Sequence, residues 1–134
     1  MTFQTLFSIA PFSWPEIGAS IFCGTLVGLE RQLRGKPVGM RTSSLIVLGT
    51  YMFLTISLSL NNDSVDPTRI IGQIVTGIGF LGAGVMLSKD GVILGVTSAA
   101  TIWALAGIGI SIPIAGEATA IKMAFVVVAI LYLV

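Results

Sequence analysis

The sequence predicts an all-α membrane protein, a polytopic bundle of about five transmembrane helices with a glycine-rich third helix at its centre. Three observations predict it. Hydrophobic residues make up 54% of the 134-residue chain and charged ones 10%, with a mean hydropathy of +1.00, a balance that a soluble domain of this size rarely tolerates. Apolar runs recur between short polar breaks, each near the roughly 20 residues that cross a hydrocarbon core of about 30 Å at 1.5 Å per residue. The run 69–87, RIIGQIVTGIGFLGAGVML, carries five glycines. In water each would cost on the order of 1 kcal/mol against alanine. In lipid the backbone must bond to itself, and small residues let a neighbouring helix come close.

One domain is expected over 1–134, with helices at about 15–31, 42–60, 69–87, 96–114 and 118–134 and no soluble C-terminal domain. Residues 1–13 hold no Lys or Arg, so they lack the basic region of a signal peptide and are expected at the interface. Phe12 and Trp14 suit the headgroup level, and Pro15 suits a first helical turn. In the first span, Gly24 and Gly28 form a GxxxG pair that suggests a close helix crossing.

Segment 30–41, ERQLRGKPVGMR, is the main charge cluster, with Arg31, Arg34, Lys36 and Arg41 against Glu30. The positive-inside rule places it in the cytoplasm, which puts the N-terminus outside and, after five crossings, the C-terminus inside. After the second span, Asp66 and Pro67 read as N-cap and N1 of the third helix. Asp63 and Asp66 could instead hold a cation. Asp90-Gly91 marks a turn between the third and fourth spans. On the fourth, Thr97, Thr101, Ala104, Ile108 and Ser111 share a stripe, where hydroxyls bond across to a neighbour or back to the i−4 carbonyl.

At 100° per residue, the third helix places Arg69, Gln73, Thr76, Gly77, Phe80 and Gly84 on one face and Gly72, Gly79, Gly82 and Met86 on the other. A helix grooved on both sides and polar on one is expected to have neighbours all round. Several chemistries are excluded. The lone Cys23 permits no internal disulfide, and a chain without histidine or a CxxC pair offers no zinc finger and no His-dependent triad. A net charge of +1 with no long basic run excludes a nucleic-acid footprint.

The strings DPTRIIGQIVTGIGFLGAGVML and GVTSAATIWALAGIGI, preceded by GLERQLRGKPVGMRTSSLIVLGTYMF, resemble the signature of the MgtC/SapB family of bacterial inner-membrane proteins. The likeness spans roughly residues 24–111. It implies a five-helix membrane domain of the bacterial inner membrane, linked to magnesium homeostasis and low-magnesium growth, some members of which bind other membrane proteins. Carried onto this chain, the motif residues are Glu30, Arg31, Gly39, Arg41, Thr42, Asp66, Arg69, Gln73, Thr97, Thr101 and Trp103. With them come the packing glycines 77, 79, 82 and 84, beside Gly24 and Gly28.

The expected function is regulation or scaffolding of other membrane proteins, or self-association, with transport of Mg²⁺ or another cation as the alternative. All six acidic residues, Glu16, Glu30, Asp63, Asp66, Asp90 and Glu117, fall in loops or near span ends, so none is expected at the midplane. An enzyme is not expected, since no motif joins nucleophile, base and orienting group. No cofactor is implied; Mg²⁺ enters only as ligand or transported ion. Arg69 is expected to pair with a carboxylate, Asp63, Asp66 or Glu117, at the outer face.

Overall fold

A computed structural model of the chain describes residues 2–60 and 66–134, with backbone alone at 88 and 89. Asp63, one of the two cation candidates, therefore lies outside the described residues. Among the described residues six helices run in order: α1 (Phe3–Leu6), α2 (Trp14–Leu33), α3 (Met40–Ser59), α4 (Pro67–Val85), α5 (Val96–Ala115) and α6 (Glu117–Leu133). Among the described residues α3, α4 and α5 are each long and apolar enough to cross a membrane. Helix α2 is as long but carries Glu16, Glu30 and Arg31 near its ends, and α6 has 17 residues.

Local chemistry explains where the long helices begin. Ser13 caps α2: its Oγ accepts from Glu16 N at 3.3 Å and donates to Glu16 Oε1 at 2.9 Å. Ser-x-x-Glu with a proline just inside is the sequence of a capping box; here the Ser13 hydroxyl satisfies a donor that the helix itself cannot, while Glu16 takes the Ser13 hydroxyl proton rather than the Ser13 N–H. Buried Tyr51 of α3 ties into it, its hydroxyl donating to Glu16 Oε1 at 3.0 Å and accepting from Ser13 N at 3.2 Å. Asp66 caps α4 through Thr68 N at 3.0 Å, with Pro67 at the first helical position. Between α4 and α5 the chain forms a two-stranded hairpin, β1 (Leu87–Lys89) against β2 (Val92–Leu94), so α4 ends at Val85 rather than at 87. Asp90 and Gly91 turn it with φ of 54° and 79°, the pair of positive angles that a type I′ hairpin turn requires.

The helix at the centre is α5. It packs against α2, α3, α4 and α6, and buries Thr101, Ile102, Leu105, Ala106, Ile108, Gly109 and Ile112 among Val27, Val47, Tyr51, Ala120 and Ala124. Its tightest seam is at Gly109, where an added Cβ would stand 2.5 Å from Val47 O and run into Thr50 Oγ1. The central position expected of the glycine-rich helix is thus corrected. Helix α4 lies at the edge, leaning mainly on α5, and only Ile78 and Gly82 of it are buried. Gly72, Gly77, Gly79 and Gly84 have nothing within 4 Å of where a Cβ would stand, and Gly82 alone of the five meets a neighbour, Ala99. The physical reason is that periodicity marks which residues share a face but not which face is covered, and small residues are compatible with a lateral surface in lipid as well as with a packed groove.

Candidate functional site

The motif residues gather at opposite ends of the bundle. At the end where α2 stops and α3 starts, Glu30 and Arg31 are 8% and 4% exposed and form a two-pronged ion pair, Arg31 Nε to Oε2 at 2.7 Å and Nη2 to Oε1 at 3.2 Å. Arg34, one turn on, reaches Glu30 Oε1 at 2.7 Å. Its Nη2 donates to Tyr132 O at 3.2 Å, with the guanidinium 5.5 Å from the centre of the Tyr132 ring. A single carboxylate therefore holds two guanidinium groups, one of which fastens the end of α6. A charge pair this buried persists only because each member satisfies the other.

The loop that follows is held as firmly. Gln32 Oε1 accepts from Met40 N at 3.2 Å, covering a donor at the start of α3. Ser43 Oγ donates to Val38 O at 3.0 Å, and Val38 is buried at a φ of 70°, which a β-branched side chain adopts only when its surroundings dictate it. Arg41 and Thr42 of the same motif face outward, exposed, on the first turn of α3. Beneath the loop α2 and α3 cross at Gly24 and Gly28. A Cβ at Gly28 would stand 2.6 Å from Met40 Cα, and one at Gly24 would fall on Ser44 Cα and 2.6 Å from Ser44 N.

At the other end, α3 and α4 diverge into a groove of about 710 Å³. Phe53, Ile56, Leu60, Ile70, Ile74 and Leu81 supply its apolar walls, and Asp66, Arg69, Gln73 and Ser57 its polar groups. The Asp66 carboxylate also accepts from Thr68 Oγ1, at 2.6 Å, and these Thr68 bonds, with the Arg69 charge adding to them, hold its carboxyl below the usual carboxylate range. Arg69 makes no ion pair with Asp66 or Glu117 among the described residues, so the pairing expected for it with either is corrected. Both carboxylates lie at the same end of the bundle, but Asp66 is turned onto its own helix.

Thr101 is buried and donates to Thr97 O at 2.8 Å, the back-bond that competes with cross-helix contacts. Thr97 is exposed, and Trp103, 63% exposed, walls a smaller groove between α4 and α5 beside Gly79 and Gly82. Gly77 and Gly84 make no packed contact, so the close-packing role expected of them and of Gly79 is corrected. Two features escaped the sequence reading. The Ser13/Glu16 box had a legible S-x-x-E signal. Ser57 is one hydroxyl among several in an apolar run, with nothing in the sequence to single it out.

These features define a class: a multipass α-helical membrane protein with a charge-clamped loop at one end and a laterally open groove at the other. The chain belongs to the MgtC family, whose model matches residues 17–134. It is 46% identical over 101 residues to YhiD of Escherichia coli K12, named provisionally as a magnesium transporter, covering 70% of this chain and 46% of that one. It is 45% identical over 92 residues to Protein MgtC of Salmonella typhimurium LT2, covering 69% and 39%. An uncharacterized protein of Haemophilus influenzae is 44% identical over 97 residues, covering 66% and 41%. The chain thus spans less than half the length of these curated relatives. No solved structure matches it.

Proposed function

We propose that this is a magnesium-linked multipass protein of the bacterial inner membrane that regulates or scaffolds other membrane proteins and is neither an enzyme nor an ion carrier. The magnesium link rests on family membership and on the name of the YhiD relative. The observation that carries the scaffold role is the uncovered side of α4, where Gly72 and Gly79 stand open with Thr76 spent on its own helix through Gly72 O at 3.1 Å. Such a surface admits a partner helix to close backbone distance, where dispersion contacts accumulate. A second copy of the chain is the alternative partner. The four basic residues of segment 30–41 support a cytoplasmic placement of that loop, with the N-terminus outside and the C-terminus inside.

The carrier reading has one observation in its favour, the groove that brings Asp66, Gln73 and Ser57 together. Against it, Arg69 sits in the same groove, and a fixed cation repels Mg²⁺, an ion that also sheds its water reluctantly. The test is growth at limiting magnesium in a strain lacking the protein. Gly72→Leu with Gly79→Leu should leave the chain inserted and folded, since nothing stands within 4 Å of either position, yet abolish rescue. Full rescue by that double variant would remove the α4 surface from the function.

A further inference from the structure

The α3–α4 groove has the shape and chemistry of a site for one anionic phospholipid, and we propose that it holds one, with the phosphodiester on Arg69 and Gln73 and an acyl chain along the groove. Arg69 and Gln73 lie four positions apart on α4, and Ile70, Ile74, Gly77, Ile78 and Leu81 continue the wall away from them. A polar end followed by an apolar trench is the order of groups in a phospholipid. From Arg69 to Leu81 the helix advances about 18 Å at 1.5 Å per residue, close to the roughly 15 Å of one leaflet's hydrocarbon. A chain whose headgroup sits at Arg69 would therefore end near the midplane.

Two observations bear on the polar end. Ser57 is 5% exposed and its hydroxyl has no hydrogen-bond partner among the described residues, although it walls the groove. A buried hydroxyl left unmade costs more than a satisfied one returns, and an ester or phosphate oxygen in the groove would accept its proton. The second is the division of labour between the two charges. The Asp66 carboxylate is engaged by Thr68 N and Thr68 Oγ1, and among the described residues no ion pair uses Arg69. A guanidinium fork that no described carboxylate engages, on the first turn of a helix, is suited to a phosphate. The trench itself opens sideways, where lipid arrives by lateral diffusion.

The test is native mass spectrometry of the 134-residue chain purified in mild detergent, loaded with phosphatidylglycerol or phosphatidylcholine. One phosphatidylglycerol should survive delipidation where phosphatidylcholine does not. Arg69→Gln should weaken retention about tenfold, as expected for one charge-assisted contact. Gly77→Phe fills the trench from a position with nothing within 4 Å, so it should abolish retention while leaving the thermal midpoint in place. Lysophosphatidylglycerol should displace the bound lipid, and glycerol phosphate at the same concentration should not. Equal retention of the two lipids, indifference to Arg69→Gln, displacement by glycerol phosphate, or a second copy of the chain in place of the lipid would each overturn the proposal.

Discussion

The substitution Gly24→Ala separates the helix crossing that holds this bundle together from the glycines that do not. The added methyl would fall on Ser44 Cα, 2.6 Å from Ser44 N and 2.9 Å from Ser43 C, all of them backbone atoms of α3. No side chain can rotate out of the way, so α2 and α3 must separate. Overpacking of this kind costs about 1–3 kcal/mol, and at about 4 °C per kcal/mol for a domain of this size the thermal midpoint falls by about 4–12 °C. The control is Gly79→Ala on α4, where nothing stands within 4 Å. Alanine is the better helix former, so that variant should melt at or slightly above the parent. Both midpoints are read by circular dichroism in one detergent. Gly24→Ala melting with the parent would refute the close α2–α3 crossing, and Gly79→Ala losing as much as Gly24→Ala would refute the peripheral placement of α4.

Three further outcomes are expected. Glu30→Ala strands Arg31 inside the protein and should cost about 3–5 kcal/mol of stability, whereas Arg34→Ala, whose side chain is 45% exposed, should cost at most about 1 kcal/mol; chemical denaturation in detergent measures both. The Asp66 carboxyl is held below its ordinary value by Thr68, so its contribution to stability is present above the unfolded-state pKa and is lost as pH falls through the lower folded value. The gap in melting temperature between parent and Asp66→Ala should hold from pH 7 to about pH 4 and close only below it, as a pH series of melts would show. In a Cys23→Ser background, cysteines at Pro37 and Ala118 should label from opposite sides of the membrane with an impermeant maleimide, Ala118 from outside; labelling of both from one side would contradict the topology.

The helical character of this chain was legible because it is written in composition and span length, and helix starts were legible where a capping residue marked them, as at Asp66 and Pro67. Centrality was not. Helix α5 reads WALAGIGISI along its middle, apolar on every side, and a helix of that kind is compatible with the core of a bundle and with a lipid-facing position alike. Helix α4 shows two distinct faces, yet its polar residues Arg69, Gln73 and Thr76 are exposed. The ion cluster of Glu30, Arg31 and Arg34 was visible as charge, but its fastening to Tyr132 joins residues 98 positions apart, a pairing that no local pattern encodes. Ser57 could not be singled out because its significance lies in its having no hydrogen-bond partner among the described residues.

The claim that this protein regulates rather than carries is tested most directly by magnesium flux in proteoliposomes holding the purified chain and a Mg²⁺-sensitive dye. The account predicts uptake no faster than in empty vesicles, with and without a membrane potential. Saturable Mg²⁺ uptake that Gln73→Ala or Asp66→Asn abolishes would contradict it and make the α3–α4 groove a permeation path.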